Sequence, residues 1–292
     1  MSILESILAL TEAEDDNIGM ISDKKVLAVV TARAGSVGLP GKNYKKMLGT
    51  PLFLWSVLSA ARSKYVDTII VSSNCKHVKR FTIQFIDAIE GFEDERKYEG
   101  IYKDTKDANR YNNLIKCEKV KFLQRPEEYA TAISKNEEAL IHAYNYAKEN
   151  LGIDADIIAN LQPTSPIRDI KDNILLDECL EKMDKKKADS LFTVSEHTPF
   201  FVHKEENGYV MNERTLLKNR PMRQELKEGE LFFHDCGSVY LTHTNTLLST
   251  NNRIGSNFTV FVLNQKRSLQ VDTGLDFRII EETLKEFVEN VN

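Results

Sequence analysis

The sequence is short of several things, and each shortage removes a class of protein. Its 292 residues include four cysteines, Cys75, Cys117, Cys179 and Cys236, widely spaced, with no Cys-x-x-Cys pair and no histidine pair nearby. That pattern argues against a zinc site and against a disulfide framework, and it fits a reducing compartment. Positive charge is not in excess: the formal net charge is −5. No general basic surface for nucleic acid is indicated, so any phosphate binding has to be local. No apolar run reaches the ~20 residues of a membrane span. Residues 1–16 lack a basic leader, so a short amphipathic helix and acidic tail are expected there rather than a secretory signal. The expectation is a cytoplasmic protein with neither nucleic acid nor membrane as partner. Internal repeats and low-complexity linkers are missing as well. What remains is ordinary globular material, 41% hydrophobic and 28% charged. It suffices for a full core in one large α/β domain or one domain with an attachment.

Val26–Thr31 is a short β-branched run of the kind that forms a buried strand. It empties into a loop that carries Gly35, Gly38 and Gly41, with Arg33 and Lys42 at its two ends. Two familiar phosphate loops are excluded. Asn43 follows Lys42, so the Gly-Lys-Ser/Thr ending of a Walker A loop is missing, and there is no Gly-x-Gly-x-x-Gly. A loop free of Cβ atoms at three places can still turn backbone N–H groups toward one point, which with two cations suits a polyphosphate. Taken alone, the same loop could be a tight turn with solvated cations.

Along the chain, helices are expected over 51–62, 77–89, 127–149, 170–182 and 277–288. Strands are expected over 66–72, 119–123, 155–161, 190–195 and 258–263. Such alternation implies a doubly wound sheet with ligands at the carboxyl ends of its strands. Both the 31–43 loop and the 162–168 loop fall at such ends, which makes them a candidate site. Residues 76–118 form a polar excursion rich in Lys, Glu, Asp and Tyr. It is expected to hold the 77–89 helix and a solvated loop around 91–113. Asn207-Gly208, between two apolar runs, marks a hairpin within an arm over about 198–235.

The string Ala32-Arg-Ala-Gly-Ser-Val-Gly-Leu-Pro-Gly-Lys-Asn43 resembles the signature of the cytidylyltransferases that activate sialic and related nonulosonic acids, the CMP-sialate synthetase family. Leu161-Gln-Pro-Thr-Ser-Pro-Ile-Arg168 resembles a second signature of that family. The resemblance implies an α/β fold of the Rossmann-like nucleotidyltransferase (GT-A-like) kind, with a mostly parallel central sheet and a small hairpin dimerisation arm. It would cover residues 25–292, apart from the 76–118 insertion, behind an extension of residues 1–24. It also implies a homodimer that transfers CMP from CTP to the anomeric hydroxyl of a sialic-type acid, with Mg2+ and release of pyrophosphate. Transfer to another sugar acid such as Kdo, or a catalytically weakened nucleotide-binding homologue, are the alternatives.

By that resemblance Ala32, Arg33, Gly35, Ser36, Lys42 and Asn43 would hold the nucleotide, and Arg125 and Asn136 would approach the cytosine. Gln162, Thr164, Ser165, Arg168, Arg223, Gln224 and Tyr240 would hold the sugar acid. Asp272 would bind the metal, acting with Arg33 and Lys42 in catalysis. The chain departs from the family at two points: an Asp-x-Asp becomes Gln270-Val-Asp272, and Ala132 stands where an aspartate is expected. On their residue types alone, Arg125 would be a surface ion-pair partner, and Gln162 and Thr164 would cap the next helix. The Arg223-Gln224 pair would be solvated arm residues, and Asp276 an N-cap before Phe277.

Overall fold

The structure, a computed structural model, describes residues 20–36, 38–90, 119–169, 173–198, 201–206, 208–211, 222–226 and 231–289. The expected loop around 91–113 lies outside them. Seven strands build the main sheet: β1 (Val26–Thr31), β4 (Val66–Ser73), β5 (Val120–Gln124), β6 (Ile157–Leu161), β7 (Ser190–His197), β10 (Phe232–His243) and β11 (Phe258–Leu263). Two short pairs stand apart, β2 (Lys46–Met47) with β3 (Thr50–Pro51), and β8 (Val202–Glu205) with β9 (Gly208–Met211). The order across the main sheet is β5-β4-β1-β6-β10-β7-β11. β10 runs antiparallel to both its neighbours, and the other adjacent pairs are parallel. The fold is therefore α/β with a mostly parallel central sheet.

β1 lies at the centre because both of its faces are apolar. Val26, Ala28 and Val30 enter one core cluster, while Leu27 and Val29 enter the other. Side chains alternate across a strand, so a continuous apolar run requires cover on both sides. Helices α1 (Leu52–Arg62), α2 (Lys76–Glu90) and α4 (Leu175–Lys186) cover the first face; α3 (Asn136–Leu151) and α5 (Thr244–Thr250) cover the second. From β1 the chain moves outward through β4 to β5, then returns to place β6 on the other flank of β1. That reversal of direction opens a crevice between the carboxyl ends of β1 and β6, where ligands bind in open α/β sheets.

Three helix expectations need correction. The 127–149 segment is a single 3-10 turn (Glu127–Tyr129), then a non-helical stretch, then α3. Ser134 ties that stretch into a turn: its hydroxyl donates to the Glu128 carbonyl and accepts from the Thr131 amide. The helix expected over 170–182 begins at Leu175, where the buried Asp169 carboxylate accepts the Leu175 N–H. The last helix, α6 (Gly274–Glu289), begins three residues before Phe277. Asp276 accordingly sits in its first turn and accepts from the Asp272 and Thr273 amides and the Thr273 hydroxyl. It is a capping residue, but from inside the helix.

A third, smaller core joins Met47, Leu52, Trp55, Ile167, Val271, Phe277, Ile280 and Leu284. It binds together the segment after the glycine loop, the end of the 162–168 loop, and the approach to α6. These are the three segments that frame the crevice. Removing the buried ring should therefore loosen all three: Phe277→Ala is expected to cost about 3–5 kcal/mol, read as a lowered urea midpoint with an unchanged m-value.

Candidate nucleotide site

The crevice holds a cavity of about 400 Å³, in the size range of small-molecule sites. Arg33, Gly35, Ser36, Lys42 and Asn43 line it from the glycine loop, Arg125 and Asn136 from the β5–α3 side, and Gln162, Thr164 and Asp272 from the opposite wall. Residues far apart in sequence, chosen for nucleotide, sugar and metal, thus face one space.

The glycine loop is fixed at its start and at its end. The Ala32 amide donates to the Ser72 carbonyl at 3.0 Å, and the Ala34 amide to Asn74 Oδ1 at 2.9 Å. Asn43, nearly buried, turns its amide inward to the Arg33 carbonyl at 2.9 Å, so it closes the loop on itself. Of the three glycines only Gly41 has a left-handed φ, 69°. Gly38 is needed for space: a Cβ there would lie 2.5 Å from the Asp272 carbonyl oxygen. The loop and the Asp272 segment therefore touch backbone to backbone. Lys42 reinforces the contact, its Nζ donating to the Val271 carbonyl at 2.7 Å and to Asp272 Oδ1 at 3.1 Å. The Asp272 side chain is 72% exposed, so this pair is well screened and adds little to stability.

The site is electropositive. Arg33 donates to the Thr131 carbonyl, and the buried Arg125 donates to the Ser72 hydroxyl and carbonyl at 3.1 and 2.7 Å. Neither guanidinium has a carboxylate partner among the described residues. Burial, and secondly the charge of Arg33, bring Arg125 down to about 10, which still leaves it a cation at neutral pH. Two guanidiniums without carboxylate partners beside an ammonium are an arrangement suited to a polyanion. The expectation from residue type alone, a surface ion pair for Arg125, does not hold.

Asn136 opens α3 and donates to Asn160 Oδ1 at 2.6 Å, while Asn160 donates to the Val29 carbonyl at 3.1 Å. The pair couples the α3 N-terminus, whose dipole favours negative charge, to the central strand. Asn160 is a residue that sequence reasoning missed; a lone asparagine in an otherwise apolar strand was its signal. Tyr129, Ser134 and Lys135 also line the cavity. They were overlooked because the 130–135 turn was read as helix.

Other expected residues lie off the cavity wall. Ala32 sits beneath the loop, its carbonyl accepting the Ser73 hydroxyl. Arg168 is 1% exposed; its guanidinium donates to the Ser238 carbonyl, the Ser56 hydroxyl and the Gln162 carbonyl, a tie under the floor and not a surface facing ligand. Ser165 is buried beside it. Tyr240 is buried too, its hydroxyl donating to the Asp235 carboxylate and its ring lying 4.3 Å from the Arg253 guanidinium carbon. Gln224 is exposed on a separate 3-10 turn (Arg223–Glu225), and the Arg223 side chain lies outside the described residues.

As for the metal, Asp272 brings one exposed carboxylate, and Asp276 spends its own on the α6 cap. Among the described residues no group of three His, Cys, Asp or Glu converges on a point. One carboxylate at a cavity lined with cations fits an ion that arrives with phosphate oxygens, as Mg2+ commonly does.

A cavity lined by cations at the reversal point of an open α/β sheet has the form of a nucleotide-binding site. Comparison with known proteins agrees. The cytidylyltransferase family profile matches residues 27–92, which span β1, the glycine loop, α1, β4 and α2. The N-acylneuraminate cytidylyltransferase of Escherichia coli O18:K1:H7 is 22% identical over 87% of this chain and 51% of its own length. The post-translational flagellin modification protein B of Campylobacter coli is 22% identical over 90% and 96%. The solved structure of CMP:2-keto-3-deoxy-manno-octonic acid synthetase complexed with CTP superposes with a TM-score of 0.57 at 14% identity, covering 90% of this chain and 99% of that one. The chain is similar to cytidylyltransferases over residues 27–92 and, at 22% identity, to the curated relatives over most of its length. It spans about half the length of the E. coli relative.

If the cavity takes a triphosphate, Lys42→Ala should weaken it. A charged hydrogen bond contributes about 1.5–3 kcal/mol, or roughly tenfold to a hundredfold in affinity. Calorimetric titration with CTP is the measurement, and a melting temperature close to wild type is expected because the Lys42–Asp272 pair is screened.

Proposed function

We propose that the protein transfers CMP from CTP to the anomeric hydroxyl of a nonulosonic (sialic-type) acid and releases pyrophosphate. The observation that carries this reading is the single cavity shared by both signature loops, with Arg33, Lys42 and Arg125 on its wall. In the reaction the anomeric oxygen forms a bond to the α-phosphorus. The bond from that phosphorus to the bridging oxygen breaks, pyrophosphate leaves with the electron pair, and the hydroxyl proton passes to water.

Arg33 and Lys42 would hold the phosphates and offset charge that builds on the leaving group. Arg125 and Asn136 would set the nucleotide's base end, at the mouth of α3. Asp272 would hold a divalent Mg2+, which when bound supplies charge neutralisation at the phosphates. The Lys42–Asp272 contact then has a simple role: each keeps the other's charge compensated until the nucleotide arrives.

A homodimer in the cytoplasm completes the reading. The β8–β9 arm supports the dimer, since Val202 and Tyr209 on it are 59% and 75% exposed among the described residues. No described helix is long and apolar enough to cross a membrane.

Pyrophosphate release measured with a panel of nonulosonic acids and the four nucleoside triphosphates tests the activity. CTP with Mg2+ should be strongly preferred; equal turnover with UTP, or full activity in a chelator, would contradict it. A second outcome concerns the carboxylate. Asp272→Asn should abolish Mg2+-dependent turnover and largely retain CTP binding, because an amide cannot neutralise metal charge. Near-normal activity at the same Mg2+ midpoint would place the metal elsewhere.

A further inference from the structure

Gln270, the departure from the family pattern, is not on the cavity wall but lies beside Gly237 together with Gln162, which lines the cavity. Opposite the end of β6, strand β10 bulges: it takes five steps from Asp235 to Tyr240 where β7 takes two, from Val194 to Phe192. Bulges of this kind re-aim a chain next to active sites. This one is firmly built. The Thr193 hydroxyl oxygen accepts from the Ser238 and Val239 amides, Asp235 accepts from the Gly237 amide, and Arg168 donates to the Ser238 carbonyl. At its apex Gly237 has a φ of 59°. The place a Cβ would take there is 2.9 Å from Gln270 Nε2 and 3.1 Å from Gln162 Oε1. The two side-chain amides thus meet over a bare backbone, and neither has a hydrogen-bond partner among the described residues. The hydroxyls of Thr164, Ser165 and Ser238, on residues close in sequence to Gln162 and Gly237, are buried and also without partners among the described residues.

Buried polar groups in folded proteins nearly always find a partner, and a group of them left over calls for a reason. The three hydroxyls are the buried members and the two amides are half-buried; all are neutral and offer both donors and acceptors, unlike the cations on the triphosphate side. Gln162 and Thr164 open onto the cavity, so the cluster is continuous with it. We propose that Gln270 reads the second substrate: with Gln162 it hydrogen-bonds the hydroxyl or acylamido groups of the sugar acid, and it is not a weakened metal ligand. This rests on the reading of the cavity as a CMP-nonulosonate synthetase site. An amide at position 270 supplies a donor and an acceptor to one neutral substituent, whereas a carboxylate there would accept only.

The experiment uses the full chain with Gln270→Ala and Gln270→Asp, and N-acetylneuraminate, a legionaminic acid and a pseudaminic acid as probes. For each protein the KM of the acid, the Mg2+ midpoint and the calorimetric CTP affinity are measured. Loss of a neutral hydrogen bond should raise the KM of the best acid about three- to tenfold in Gln270→Ala. In both variants the ranking of the three acids should change, with CTP affinity and Mg2+ midpoint within twofold of wild type. Retained CTP affinity also shows that the variants fold. An unchanged KM and ranking in both variants, or a Mg2+ midpoint markedly tightened in Gln270→Asp, would overturn the assignment and return position 270 to the metal. If the wild-type protein binds CTP yet turns over none of the acids, the proposed function falls, and this assignment with it.

Discussion

Beside Lys135, three cations, Arg33, Lys42 and Arg125, face one cavity, and among its lining residues the one carboxylate is Asp272. Arg33 and Arg125 have only backbone and hydroxyl acceptors among the described residues, and Lys42 alone has Asp272. A protein whose net charge is negative gains nothing in stability from gathering like charges at one place; Arg125 is brought down to about 10 by burial and by its neighbour. Such an arrangement makes physical sense as a receptor for something more negative than itself. Much of the remaining structure exists to hold those three groups where they are.

The holding is done by backbone and by apolar packing. Ser72, at the end of β4, accepts from the Ala32 amide and from Arg125, so a single strand end sets both sides of the cavity. Gly38 and the Asp272 carbonyl meet at a distance that excludes any side chain, and Val271 is bonded to Lys42 on one side and to Thr164 on the other. Behind these contacts the small core around Trp55, Ile167 and Phe277 prevents the three framing segments from separating. Burial of that core is non-directional, whereas the hydrogen bonds in front of it select one arrangement.

Much of this was legible in the sequence because it is written locally. A β-branched run followed by glycines and two cations specifies strand, loop and charge within eighteen residues, and the alternation of apolar patterns gave the layered sheet and the ends where its loops collect. What stayed hidden depends on contacts between distant segments. Arg168 belongs to a signature string, yet its burial is decided by β10 passing over it, a partner seventy residues away. Tyr129 and Lys135 reach the cavity because a Thr131–Ser134 turn breaks a stretch whose composition suits helix. Tertiary hydrogen bonding overrode local propensity in that stretch. Gln270 could be seen as a departure, but its meeting with Gln162 requires the bulge at Gly237, which alternation of residue types does not announce.

We infer that the loop from Arg33 to Lys42 receives the triphosphate and that its ammonium is lent to Asp272 in the free protein. A crystal structure of the protein with CTP tests it most directly. The account predicts the triphosphate against Arg33 and the glycine loop, with Lys42 Nζ moved from Asp272 to a phosphate oxygen and the cytosine toward Arg125 and Asn136. A nucleotide bound outside this cavity, or one bound within it while Lys42 and Asp272 keep their contact and no phosphate touches Arg33, would contradict it.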